Sequence, residues 1–487
     1  MADFTFDPAD LGPLDCTRWD EKLVEQLSYL TPYDADELLS YVTDESARQA
    51  LDYIKDNGQR IIIPITPAPV RFTARHVNGL KRAFRILSGA VAKVAVAWLD
   101  TPALQHVLPL EPYEAQWLRL AQNAPGDPTA QVFHRWDFAL DVSGDPDAAH
   151  FKLFEVNSVD VGGIHYAGAA HFVMSGALML LGAPNVWGSP GSCGADPRLI
   201  LMTALMFHPA AKAIKGRRKL RVAIAENQDF TTGITEAESI RKFFRKRFIK
   251  TQCVDARRFE THSEYRVAYR GKPVDVVYRN IELRDLADLE TAGGDLSGLR
   301  AAAQAGKMLS SPFGELDHKS LWEALGSDEF AELFTAQERQ LIAQHVPWTR
   351  LLSERKTTDP AGRSIELADY VRQNRSDLVM KPNRSCGGQG VTIGRITSRD
   401  QWDYTLTAAL QTPDTWVVQE RIPIPRRLTC RVTEDGRFEP DEVFSVYGGF
   451  HSVGGPGFVG RASHSPVVNV MQGGGLLAVM GKMPKEN

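Results

Sequence analysis

DLVMKPNRSCGGQGVTIG, residues 377–394, joins two short apolar runs through a lysine, a proline and a loop with glycines at 387, 388 and 390. Glycine lets backbone N–H groups close on a ligand without a Cβ in the way. Turns of this kind form concavities suited to phosphate. Taken alone, such a segment is more often an ordinary tight turn between two strands. The common nucleotide fingerprints do not fit it. The chain holds no G-x-x-x-x-G-K-[ST], and G-x-G-x-x-G fails because Ile393 stands where the third glycine belongs after Gly388 and Gly390. The kinase H-R-D and D-F-G triplets are absent, and His134-Arg135-Trp136-Asp137 only grazes the first.

What remains is a strand bearing Lys381, a glycine hairpin, a returning strand and, farther on, Thr415-Trp-Val-Val-Gln-Glu-Arg-Ile422. A strand ending in Gln-Glu can offer backbone groups to an adenine edge and a carboxylate to a ribose. Together these segments resemble the ATP-grasp superfamily, in which ATP lies between two α+β subdomains. The resemblance implies that Ser385, Cys386, Gly387, Gly388, Gln389 and Gly390 form a flap over the β- and γ-phosphates. It also implies Lys381 on a phosphate, and Gln419, Glu420 and Ile422 as the adenine hinge.

Members of that superfamily hold Mg²⁺ with an acid on one strand and Glu-x-Asn on the next. Magnesium prefers hard oxygen ligands, and alternate residues of a strand face the same way. That pair normally follows the glycine loop, yet the tail here, Asn469-Val-Met-Gln-Gly-Gly-Gly, carries no acids. The pattern occurs far upstream instead, as Arg135-Trp-Asp137 and Glu155-Val-Asn157. Metal strands first and nucleotide loop second is the order of the circularly permuted branch. The chain thus resembles glutathionylspermidine synthetase and the eukaryotic-type glutathione synthetases. The implied fold is α/β, built of α+β subdomains as a permuted ATP-grasp with a small parallel-sheet domain, the tail returning to complete the catalytic sheet. Asp137, Glu155 and Asn157 are the expected metal ligands, and the apolar neighbours Phe133, Phe138, Leu153, Phe154 and Val156 place them along a cleft. Buried carboxylates need a compensating charge. The resemblance carries over Lys319 of Gly314-Glu-Leu-Asp-His-Lys as a second ATP lysine. Arg135, Arg461 and the weaker Arg431 are candidates for phosphate or acyl-phosphate charge, and Arg279, Gly162 and Gly163 for the substrate edge.

The rest of the sequence sets the frame. With 487 residues, 43% hydrophobic and 24% charged, the chain is long enough for two to four globular domains. A net charge of −4 does not favour nucleic acid as a partner. The start has no basic-then-apolar signal pattern, and the apolar stretch Val173 to Ala183 is too short to span a bilayer. Cysteines 16, 193, 253, 386 and 430 form no CxxC pair, so a cytoplasmic protein with free thiols is expected. Residues 1–215 read as the first part of the catalytic core and 216–310 as a small Rossmann-like substrate domain. Residues 311–425 read as the ATP-binding subdomain and 426–487 as strands completing the core. Arg60-Ile-Ile-Ile-Pro reads as a buried strand, and helices are expected at His76 to Leu87, Pro112 to Gln122, Asp317 to Leu325 and Asp328 to His345. Strands are expected at Gln131 to Asp141 and His150 to Asn157. The Thr235-x-x-Glu238 capping box opens a basic helix between the strands beginning at Lys219 and Thr251, as in a parallel sheet.

The activity that the resemblance implies is ATP-dependent ligation of a carboxylate to an amine (or thiol) through an acyl phosphate, with ATP and Mg²⁺ as cofactors. Small-molecule substrates are the expected partners, without nucleic acid or membrane, and a homodimer is conceivable by the same resemblance. Besides phosphoryl transfer to a non-carboxylate acceptor within the same superfamily, two rivals stand beside it. One is an inactive ATP-grasp binding module. The other is a metal enzyme without ATP that uses His134, His165 and His171.

Overall fold

The computed structural model describes residues 11–144, 151–182, 196–214, 218–230, 232–234, 236–264, 266–385 and 387–481. Cys193, Thr235 with its expected capping box, and Cys386 lie outside these residues.

A six-stranded antiparallel sheet organises the molecule. Its order is Gly475–Leu477, Gly455–Ser463, Phe438–Ser452, Arg135–Leu140, Phe151–Asn157, with Arg426–Val432 also paired to Phe438–Ser452. The tail therefore returns beside the upstream strands, in the permuted order. Period-two alternation sends Trp136 and Phe138 to one face, where Trp136 stacks on Phe84 and Trp322. Burying each such ring stabilises the fold by about 2–3 kcal/mol. Helix Ala74–Trp98 covers this face. Thr73 caps it, accepting the His76 N–H. It runs past the expected end at Leu87 because the apolar stripe continues through Val91, Val94 and Trp98.

Two smaller sheets flank it. Met308–Leu309, Val276–Arg279, Arg221–Glu226 and Lys250–Asp255 form an all-parallel sheet, with helix Glu236–Arg245 as the crossover. Thr349–Leu351, Trp416–Glu420, Leu378–Pro382 and Thr392–Ile393 form an antiparallel one. Helices Leu367–Gln373 and Arg399–Gln411 bury Met380 and Val418 against Leu367, Val371, Trp402 and Leu406. The glycine loop is thus the turn between the third and fourth strands of this sheet.

Several sequence expectations need correction. Arg60–Ile62 is an edge strand rather than a buried one, with Ile62 exposed and the burial starting only at Ile63. The helix expected from Asp317 starts only at Leu321 and ends at Gly326, because the Asp317 carboxylate accepts the distant Ser158 N–H and not a local one. The next run splits into Asp328–Leu333 and Ala336–His345, since Thr335 and Glu338 form a capping box that starts a new helix. Val173 lies in helix Ile164–Leu180, and among the described residues no helix is long and apolar enough to cross a membrane.

Candidate active site

The large sheet and the four-stranded antiparallel sheet face each other across a cleft of about 390 Å³. On the large sheet, Asp137 lies directly opposite Glu155 and Arg135 opposite Asn157. A bulge follows Asp137, so the pairing resumes with Phe138 opposite Leu153. Trp136 and Val156 point into the core, which leaves Arg135, Asp137, Glu155 and Asn157 facing the cleft. The three expected metal ligands therefore share one face of one strand pair. Asn157 Nδ2 is buried with no hydrogen-bond partner among the described residues.

Cations crowd the two carboxylates. Arg135 donates Nε and Nη2 to the two Asp137 oxygens at 2.7 and 2.9 Å. Arg461, from strand Gly455–Ser463 on the far side of Phe438–Ser452, donates Nη2 to Asp137 Oδ2 at 2.8 Å. Lys319 Nζ lies 3.2 Å from Glu155 Oε2 and donates to the Ser385 carbonyl at 2.6 Å. Lys381 Nζ donates to Gln419 Oε1 at 2.7 Å and sits over the Phe154 ring. Four cations thus face two carboxylates, a surplus of two positive charges. Burial alone would raise Glu155, but Lys319, Lys381, Arg135 and Arg461 outweigh it and hold the carboxyl at about 2. Lys381 shows the opposite balance: enclosure by protein pulls it down to about 8, against the attraction of Glu155.

The loop and hinge complete the cleft. Ser385, Gly387 and Gly388 line it, whereas Gln389 and Gly390 are exposed and do not. Gly388 has φ +71°, and a Cβ there would stand 2.7 Å from Val467. Gln472 Nε2 donates to the Gly387 carbonyl at 2.7 Å, so the loop leans on the tail. At the hinge, the Glu420 N–H goes to Trp348 and the Arg421 N–H to Asp377. The Ile422 N–H has no partner among the described residues and lines the cleft, as an adenine contact requires. Gln419 also lines the cleft, but its side chain is engaged by protein partners. It is buried, bonding Lys381 and Thr349, and so acts as an anchor for Lys381.

Other expected residues are used differently. Arg431 is exposed and pairs with Glu439 across two strands, away from the cleft. Arg279 is fully buried and bonds the Ser310, Ser311 and Ile281 carbonyls and Glu315, so it braces the Ser310–Glu315 turn and does not touch a substrate. Gly162 and Gly163 line the cleft, but the Gly162 carbonyl accepts from Arg135 and the Gly163 N–H goes to Glu236. Glu236 also accepts the His165 and Tyr166 N–H groups and so caps helix Ile164–Leu180. The three histidines do not form a metal site: His134 bonds Ser158, His165 bonds the Gln49 carbonyl, and His171 bonds the Val479 backbone. Among the described residues no group of three or more His, Cys, Asp or Glu is placed to hold a metal.

Sequence reasoning gave no role to several further cleft residues, among them Leu11, Glu282, His318 and Arg384, while Asp160 opens the stretch expected as a substrate edge and does line the cleft. Leu11 accepts the Ile424 N–H on its carbonyl, laying the start of the described chain along the hinge. Of the residues without a role, His318 left a sequence signal through its closeness to Lys319.

A solved structure shares this architecture. A glutathione synthetase-like effector from Globodera pallida, in its apo form, matches over 99% of this chain and 99% of its own, with a TM-score of 0.58 and 11% identity. At that identity the likeness establishes the fold, which is mixed α/β of the glutathione synthetase-like kind. No protein-family model matches the chain. No curated protein matches it in sequence.

Proposed function

We propose that this protein is an ATP-dependent carboxylate–amine ligase that forms an amide through an acyl phosphate and releases ADP and phosphate. The carrying observation is the local surplus of positive charge beside the glycine loop: Arg135, Lys319, Lys381 and Arg461 cluster around two carboxylates, Asp137 and Glu155. Enclosed cations without a counter-charge are costly, and a polyanion such as a triphosphate supplies it. The free Ile422 N–H and the left-handed glycines of the loop, which keep Cβ atoms out of the cleft, support the same ligand.

Mg²⁺ fits the donor set. Asp137, Glu155 and the amide oxygen of Asn157 are hard oxygen donors on one strand face, and Asn157 Nδ2 is buried without a hydrogen-bond partner among the described residues, so no protein contact fixes which way the amide turns. Mg²⁺ on these residues would neutralise phosphate charge. Lys319 and Lys381 hold the phosphates, Arg461 faces the transferred group, and Asp137 aims both arginines. Free carboxylate and amine do not condense at useful rates in water, so a phosphate leaving group is needed. Phosphoryl transfer asks the protein mainly for positioning and charge neutralisation. The glycine loop would shield an acyl phosphate from water.

The test is Mg²⁺-dependent ADP release from ATP against a panel of amino acids and small carboxylates, with and without hydroxylamine, which intercepts an acyl phosphate as a hydroxamate. ADP and hydroxamate with one acid, lost in Lys381→Ala, are expected. Absence of nucleotide binding by calorimetry would overturn the reading. Binding of nucleotide without hydroxamate from any acid would favour the inactive module.

A further inference from the structure

Part of the cleft wall is acidic. Asp160, Glu282, Glu315 and Asp317 all line it, and they form one electrostatic group: Asp317 feels Glu315 and Glu282, and Glu282 in turn feels Asp160. Glu315 is already committed to Arg279, and Arg384 is held by Glu114 with Glu315 3.6 Å away. Glu282 pairs with Arg284 at 2.5 Å, whereas Asp160 and Asp317 form no ion pair among the described residues; Asp317 accepts only the Ser158 N–H, with Arg384 acting on it from farther off.

His318 belongs to the same wall. It is 3% exposed, and neither Nδ1 nor Nε2 has a hydrogen-bond partner among the described residues. Other buried histidines keep at least one nitrogen engaged: His76 through Thr73, His208 through Ala210, His345 through the Phe151 carbonyl. A buried polar group with no partner calls for an explanation, and a ligand N–H supplies one. Burial, with Arg384 and Lys319 nearby, keeps the imidazole well below its usual range, so it is neutral and has an acceptor nitrogen to offer.

We propose that Asp160, Glu282, Asp317 and His318 form the subsite for the nucleophile, a primary amine that enters as its ammonium ion. This rests on the ligase reading and deepens it. Asp317 takes the first proton from the ammonium, and His318 accepts a hydrogen bond from a remaining N–H and aims the lone pair. The nitrogen then attacks the acyl carbonyl. A C–N bond forms, the C–O bond to phosphate breaks, the oxygen leaves with the electron pair, and the second proton departs from nitrogen with the phosphate. Burial and Glu315 push the Asp317 carboxyl up to about 8, close to what a proton acceptor for an ammonium needs at neutral pH.

The experiment compares two nucleophile probes on the whole chain, using the carboxylate that gives most hydroxamate in the panel above. Ammonium chloride must lose a proton before it attacks, whereas hydroxylamine is already neutral at pH 7.5. The readout is the ratio of the two rates, so a loss of folded protein cancels. In Asp317→Asn and in His318→Gln the ammonium-to-hydroxylamine ratio should fall by roughly 10²-fold. For Asp317→Asn the deficit should shrink toward pH 9.5, where free ammonia becomes abundant. A ratio unchanged in both variants, or a deficit independent of pH in Asp317→Asn, overturns the assignment. If the unmodified protein yields no hydroxamate with any acid, the ligase reading itself falls, and this subsite with it.

Discussion

Lys381 offers the sharpest test of how the cleft holds its anion. Its ammonium titrates at about 8 because enclosure disfavours the charged form by more than Glu155 favours it, with Lys319 adding repulsion. If the triphosphate binds only the protonated lysine, affinity follows the protonated fraction in the free protein. With a midpoint of about 8, roughly nine-tenths is protonated at pH 7 and roughly one-tenth at pH 9. The sign is a loss of affinity as pH rises. The dissociation constant for a non-hydrolysable ATP analogue should therefore grow about tenfold over that range, about 1.4 kcal/mol. Glu155, held at about 2, stays ionised throughout and adds nothing to the slope. Calorimetry at several pH values with Mg²⁺ in excess measures the constant, and the heat in two buffers counts the protons taken up. Lys381→Arg, charged at every pH in the range, should flatten the curve. A flat curve in the unmodified protein, or an equal slope in Lys381→Arg, would refute the idea that this lysine carries the phosphate contact.

Three other perturbations separate site from scaffold. Glu155→Gln removes a charged oxygen donor, so half-saturation by Mg²⁺ in the ADP-release assay should rise by at least about tenfold. Arg431→Ala, at an exposed strand pair far from the cleft, should leave ADP release within about twofold and the melting temperature nearly unchanged. Arg279→Met strands Glu315 as a buried charge without its partner. It should cost about 3–5 kcal/mol of stability, seen as a lower denaturant midpoint, whatever the acid offered as substrate.

Much of this architecture was legible from strand-level pattern. Arg135-Trp-Asp137 and Glu155-Val-Asn157 fix which side chains share a face, since period two is rigid, and the sheet register then sets Asp137 against Glu155. The parallel sheet of residues 221–309 was readable for the same reason: strand, helix and strand each carry a local signature. The failures share a different cause. Arg279 and Arg431 are both arginines on strands, and nothing local tells one that braces a turn from one on an exposed edge. Only the distant partners, Glu315 and Glu439, decide it. Gln419 sits where a hinge contact was expected, but its partner Lys381 comes from the adjacent strand, a pairing that only the register reveals. His318 stood one residue from a lysine that drew attention, and its lack of partners is a property of packing that no sequence window contains.

The four cations reach the cleft from separate elements, and their protein partners are what the proposed anion would compete with. Arg135 and Arg461 lie on neighbouring regions of the large sheet and are tied to one carboxylate, so they move as a unit with Asp137. Lys319 instead bridges two bodies: it reaches Glu155 on the large sheet and the Ser385 carbonyl at the root of the glycine loop. Trp322, one turn on, donates to the Phe154 carbonyl and keeps that helix fixed to the same sheet. A phosphate that recruits the Lys319 ammonium must compete with the Ser385 carbonyl, and a neutral acceptor yields more readily to an anion than the Glu155 carboxylate does. The loop then loses its tie to Lys319 while keeping the Gln472 contact at Gly387. Under the proposed function, Lys319 would thus tie anion binding to the contact at the loop root, while the carboxylates stay fixed on the sheet.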